Sequence, residues 1–261
     1  MTVKFEMDGA LAIATFSDPP MNLFALEGLE GFEAAINSAL DAKARAFLTL
    51  AEGDHFCAGA DVVRNFVGSN GAQGRRGLSR ALAVLQRFEQ LPIPTVVAVR
   101  GFCFGAGCEI LQVHDIAFAG EGAAIGQVEA LIGTTTLLGG AQRLVSRIGV
   151  ARAKEFVFSA QPLDAKTLHR WGLVNQVAPD DEVETKARAY AQKLSEGPTT
   201  ALRWSKALIN AAVSHGVSAA DSLVLEGGSA TFDSRDMQEA VTRFARDGAR
   251  RFADGLVFTG E

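Results

Sequence analysis

The stretch that most limits what this chain can fold into is TVVAVRGFCFGAGCEILQVHDIAFAG, residues 95–120. It opens on a short apolar run of the kind that forms a buried strand. It then passes through closely spaced glycines into a helical pattern and ends on a second apolar run, IAFAG. Strand, tight turn, helix and strand within 26 residues is the grammar of an α/β fold. The preceding segments keep to it. ALAIATF alternates as a strand, and LEGLEGFEAAINSAL spaces Leu29, Phe32, Ile36 and Leu40 along one helix face. RAFLTLA reads as a strand that breaks at EGDHFCAGAD. GSNGAQGRRG (68–77) reads as a mobile loop, and ALAVLQRFEQL as a helix stopped by Pro92 and Pro94.

From about residue 141 the pattern becomes helical. AQRLVSRIGV, ARAKEFVFSA and DAKTLHRWG follow in quick succession, with one strand-like piece, LVNQVA. After EGP at 196–198 the remainder reads as entirely helical. The expected organisation is an α/β core over 1–195 carrying the functional site and a helical segment over 196–261.

Composition narrows the function. A net charge of -5 argues against a nucleic-acid surface, because phosphate binding calls for basic patches. No run approaches the roughly 18 apolar residues of a membrane span, and the first residues lack the pattern of a signal peptide. Cys57, Cys103 and Cys108 form no CxxC and are odd in number, so they read as buried reduced thiols rather than disulfides or metal ligands. A cytoplasmic protein without metal is expected.

The glycine turn before Glu109 has two chemical readings. Gly101, Gly105 and Gly107 have the spacing of a short-chain dehydrogenase cofactor turn, and Tyr190 with Lys193 forms the matching Tyr-x-x-x-Lys. Against this, about a hundred residues precede the turn, and no acidic residue follows at the distance that holds a ribose. The other reading is an oxyanion site. A helix starting near Gly105 presents unpaired N–H groups and the positive end of its dipole, each well-placed donor being worth about 3–4 kcal/mol to a developing oxyanion. A second donor would come from the HFCAGAD turn. Glu109 and, twenty residues on, Glu129 are lone carboxylates in apolar company, a pairing suited to acid–base work. On spacing alone, Glu109 and Gln112 could instead form a solvated helix stripe.

Taken in order, the motifs resemble those of the crotonases, the enoyl-CoA hydratase/isomerase superfamily. FCAGAD (56–61) is similar to the family's first oxyanion segment, and residues 98–133 resemble its central signature. GGAQRLVSRIG (139–149), AKTLHRWGLVNQV (165–177) and RRFADG (250–255) resemble its later motifs. The resemblance implies a spiral of ββα turns, with the C-terminal helices building a homotrimer or a dimer of trimers. It also implies an acyl-CoA thioester substrate, with coenzyme A as part of that substrate and no separate cofactor. Backbone oxyanion donors are carried over to Ala58 and Ala106, and the hydratase glutamates to Glu109 and Glu129. Substrate contacts fall at Ala58, Ala60, Asp61, Val62, Phe104, Gly105 and Ala106.

Hydration of a 2-enoyl-CoA is the leading expectation, with Glu129 protonating Cα and Glu109 activating water. The alternatives are a Δ3,Δ2-enoyl-CoA isomerase and a non-catalytic acyl-CoA-binding protein. One departure from the family pattern bears on the choice. Thr136 and Leu137 stand where family hydratases place proline and glycine, in a loop near the acyl end and the water. Arg64, Arg75 and Arg76 are candidates for CoA phosphates or for solvated positions, and Phe66, Phe102 and Phe104 for an acyl channel or the core.

Overall fold

The computed structural model describes residues 1–261. Its main sheet is built from six strands. β1 (Thr2–Asp8) and β2 (Leu11–Ser17) form an antiparallel pair, and α1 (Leu26–Asp41) carries the chain to β3 (Ala46–Ala51), parallel to β2. After α2 (Val62–Phe66) and α3 (Gly71–Glu89) comes β4 (Thr95–Val99), then a short strand, β5 (Phe102–Phe104), and α4 (Ala106–Gln112). β6 (Ile116–Gly120) re-enters the main sheet, β7 (Ala124–Gly126) leaves it, and a 3-10 turn spans Glu129–Ile132. The chain continues through α5 (Gly140–Ile148), α6 (Val150–Ser159), β8 (Leu163–Asp164), α7 (Ala165–Trp171) and β9 (Gln176–Ala178). α8 (Val183–Ser195), α9 (Thr199–His215), α10 (Val217–Phe232) and α11 (Arg235–Asp247) complete it. The main sheet runs β1-β2-β3-β4-β6-β9, and β5-β7-β8 forms a second, three-stranded sheet. β1 and β2 stay together in the main sheet, whereas the pairs β4/β5 and β6/β7 each split between the two sheets before the chain turns helical, the repeating ββα unit of the spiral expected of the fold.

Strand alternation builds a core on each face of the main sheet. Leu11, Ile13, Leu48, Val96, Ala98 and Phe118 point to one face and pack beneath Val183, Ala187 and Ala191 of α8. Phe16, Phe47, Val97 and Val99 point to the other, where they meet α1, α3 and α4. That larger core is dense in aromatic rings: Phe32 lies 4.8 Å from Phe88 and 5.9 Å from Phe16, and Phe47 lies 5.2 Å from Phe88, two of these contacts being edge-to-face.

The segment expected to be a mobile loop, 68–77, is a helix from Gly71 onward. Asn70 accepts from the N–H groups of Ala72 and Gln73, while Gln73 reaches back to the N–H of Asn70. This capping box starts the helix despite its glycines, and the buried face of Ala81, Val84, Leu85 and Phe88 anchors it. The helix expected to start near Gly105 begins at Ala106, and the short strand β5 before it was not anticipated. Three residues are too few to show a periodicity. At the C-terminal end the chain after α11 has no helix, which corrects the expectation of an entirely helical remainder. Instead, buried Asp236 accepts from Thr259 N and Oγ1 and from Gly260 N, pinning the tail. No helix is long and apolar enough to cross a membrane.

Candidate active site

Gly105 caps α4 at φ 48° and ψ −116°, a backbone conformation that an L side chain rarely adopts. It lets the chain reverse out of β5 and begin the helix at once. Gly107 is required by contact: a Cβ there would stand 2.5 Å from the carbonyl oxygen of Cys57. Closeness of that order brings the 56–61 turn against the start of the helix, with the backbones of Cys57 and Cys103 paired in an isolated parallel β-bridge and Phe104 N donating to Cys57 O at 2.9 Å. All three cysteines are free and buried, and burial pushes the Cys57 thiol up to about 12.

The turn offers one free donor, though not the one carried over from the family pattern. Ala58 N donates to Met21 O at 2.9 Å, so its hydrogen is already used. Phe24 straddles the next pair, donating to Gly59 O at 2.8 Å and accepting from Asp61 N at 2.9 Å. In such a parallel bridge the residue between those two bonds points its own N–H away. That residue is Ala60, and its N–H has no acceptor within the chain. Ala106, first in α4, likewise has no acceptor for its N–H. The two belong to one corner of the molecule: a Cβ placed on Gly105 would lie 3.9 Å from Gly59 Cα and 3.7 Å from Glu129 Oε1.

Glu109 is 2 % exposed, which rules out the solvated helix stripe. Its Oε1 accepts from Leu138 N at 2.8 Å and Gly140 N at 2.9 Å. Burial, together with the nearby charge of Glu129, raises its titration to about 7 even though those two N–H groups favour the anion. Glu129, half-buried at the head of the 3-10 turn, is also shifted upward by burial. Behind it lies a polar chain that was not anticipated. With its amide oriented as its neighbours require, buried Gln127 donates to Glu129 Oε1 and Oε2 at 2.8 and 3.0 Å and accepts from Gln112 Nε2 at 2.7 Å. Gln127 stood in plain view two residues before Glu129, but only the fold aims its amide back at that carboxylate.

The remaining candidates divide. Asp61 accepts from Arg64 N at 3.0 Å and so caps α2, and Val62 is exposed at the start of that helix. Phe104 and Phe102 stack at 4.8 Å, and Phe102 stacks on His55 at 4.1 Å, as a partly exposed aromatic ladder leading to Gly105. Arg64 pairs with Asp61 and Glu27, while Arg75 and Arg76 lie exposed on α3. At the Thr136–Leu137 departure, Thr136 Oγ1 accepts from Ala141 N, and Leu138 and Gly140 deliver their N–H groups to Glu109. Tyr190 of the dehydrogenase reading packs on Phe118 beneath α8, across the main sheet from the glycine turn.

Comparison with known proteins bears on the family and the fold. The profile of the enoyl-CoA hydratase/isomerase family matches residues 6–255. The short-chain-enoyl-CoA hydratase of Clostridium acetobutylicum is 31 % identical over 93 % of this chain and 94 % of its own. The crotonyl-CoA hydratase of Syntrophomonas wolfei is 29 % identical, again over 93 % and 94 %. A crystal structure of the Bacillus anthracis enoyl-CoA hydratase superposes with a TM-score of 0.90 at 25 % identity, covering 100 % of both chains.

Proposed function

Because this chain belongs to the enoyl-CoA hydratase/isomerase family, we propose that it adds water across the double bond of a 2-enoyl-CoA to give a 3-hydroxyacyl-CoA. One observation carries this reading: two carboxyls raised above their ordinary range, Glu109 and Glu129, stand beside two unpaired backbone N–H groups, those of Ala60 and Ala106. The thioester oxygen accepts from both N–H groups, which stabilise the negative charge that grows on it as Cβ is attacked. Glu109, as carboxylate, takes a proton from water, and the hydroxide oxygen bonds to Cβ. Glu129, as acid, gives its proton to Cα, collapsing the enolate. The pair begins and ends with one proton between them, so atoms and charge balance, and exchange with solvent restores the starting arrangement. Coenzyme A enters only as part of the substrate.

Isomerisation needs one carboxyl to shuttle a proton, and the second glutamate has no task in it. The retained cradle around Glu109 likewise favours hydration over a binding role. The partly exposed apolar side chains of the C-terminal helices, among them Ile209, Val213, Leu225 and Phe232, fit a trimer in which sister subunits cover them. The test incubates the protein with crotonyl-CoA and, separately, a 3-enoyl-CoA, reading mass and enoyl-thioester absorbance. Gain of one water on crotonyl-CoA, lost in Glu129→Gln, is expected. New conjugation at unchanged mass, or no reaction, would overturn the reading.

A further inference from the structure

Glu109 depends on two N–H groups of a loop, so whatever fixes that loop fixes the carboxylate. The loop's own carbonyls point the opposite way, and a single side chain gathers them. Arg143 of α5 donates from Nη1 to Leu138 O at 3.3 Å and to Gly139 O at 3.1 Å. The same guanidinium is held on its other edge by Glu89, the last residue of α3, through Nε to Oε1 at 2.9 Å and Nη2 to Oε2 at 2.7 Å. The Arg143 side chain is only 13 % exposed, and Glu89 is itself tied from the C-terminal helices, where Asn210 of α9 donates to its carbonyl at 3.3 Å. The packing is close enough that a Cβ on Gly139 would fall on the Arg143 guanidinium.

We propose that Glu89 and Arg143 are a positioning pair for the reaction: the bidentate ion pair locks the 138–140 peptides so that their N–H groups hold Glu109 in its reactive orientation. The proposal rests on the hydratase reading for its kinetic consequence only. A planar fork is what the arrangement requires, since one edge must grip a carboxylate while the outer nitrogen reaches two carbonyls. Lysine offers charge without that fork. Neither Arg143 nor Glu89 touches Glu109; what sets its charge locally is burial, the loop N–H donors and the nearby Glu129, the Cys108 thiol beside it on α4 being held neutral by its own burial. Loosening the loop weakens those donors, which favour the anion, and so moves the Glu109 titration to higher pH.

The experiment compares Arg143→Gln, Arg143→Lys and Glu89→Gln with the parent for crotonyl-CoA hydration between pH 5 and 9. Because misplacing a catalytic group by about 1 Å costs on the order of a hundredfold, kcat in Arg143→Gln is expected to fall by about that factor, with KM changed less than about threefold. The acid limb of the kcat profile is expected to move up by about half a pH unit or more. Arg143→Lys should not rescue, and Glu89→Gln added to Arg143→Gln should cost nothing further. A parent-like kcat or an unmoved acid limb in folded Arg143→Gln would overturn the proposal. So would rescue by lysine. Should Arg143→Gln fail to fold, Glu89→Gln carries the same test, with an expected loss of about tenfold in kcat. A second measurement needs no turnover: the pH at which the stability advantage of Glu109→Gln over its parent levels off in urea unfolding should rise in the Arg143→Gln background, and no rise overturns the pair. If the parent hydrates nothing while that pH does rise, the functional reading fails and the positioning pair stands.

Discussion

Replacing Glu109 with glutamine should make the protein more stable and less active, and the gain in stability should depend on pH in a defined way. The amide keeps an oxygen for the N–H groups of Leu138 and Gly140, so the cradle survives. What disappears is the titration. In the folded parent Glu109 titrates near 7 because it is buried and faces Glu129, against 4.5 for an ordinary glutamate. A carboxyl whose titration is raised on folding contributes stability that is complete below its unfolded value and is lost as pH rises through its folded one. The window is therefore pH 4.5 to 7, and at about 1.4 kcal/mol per pH unit the parent loses roughly 3 kcal/mol across it. Glutamine loses none. Urea unfolding at fixed protein concentration should show the advantage of Glu109→Gln growing by about 2–3 kcal/mol between pH 5 and pH 8. Hydration should fall by two orders of magnitude or more, as expected for a lost general base (about 10²–10⁴). A stability difference that stays constant with pH would show that Glu109 titrates as an ordinary surface glutamate, and the chemistry built on it would fail with it.

Other outcomes follow from the same geometry. Parent kcat should decline as pH drops through about 7, where Glu109 takes up the proton that disables it as a base; Glu129→Gln should remove most hydration, and in that variant the Glu109 step in urea stability should move to lower pH because a neighbouring charge is gone. Gly107→Ala should destabilise by about 1–3 kcal/mol, as overpacking does, since its methyl group meets the Cys57 carbonyl; the urea midpoint reads this directly. Lys206→Met, which breaks a mostly buried pair with Asp115 at 2.8 Å, should cost about 3 kcal/mol and release α9 first, seen as faster hydrogen exchange there. Light scattering should report a mass of three or six chains, and Leu225→Glu should reduce it.

Much of the site could be read without coordinates because its chemistry lies in side-chain identity and short-range spacing. Glu109 follows a glycine turn within one helical turn, and Glu129 follows Gln127; spacing alone leaves a solvated stripe open for Glu109, and the ordered family signature is what marks both carboxylates. The donors were harder. Whether Ala58 or Ala60 has a free N–H depends on where Met21 and Phe24 lie, residues more than thirty positions upstream. The capped helix at 71–77 was hidden by three glycines, whose propensity argues against a helix that Asn70 and a buried face nevertheless establish.

Local pattern by itself determined the alternation of buried strands and amphipathic helices and the glycine turn, because those depend on periodicity and on residue chemistry within one or two turns, while the two glutamates are marked by the order of the motifs around them. Only the tertiary structure decided which peptide hydrogens remain unpaired, that Glu109 is buried and titrates near 7, and that Glu89 and Arg143, 54 residues apart, grip the loop beneath it. Those properties depend on which distant segments come into contact, and desolvation and hydrogen-bond competition are set by that contact.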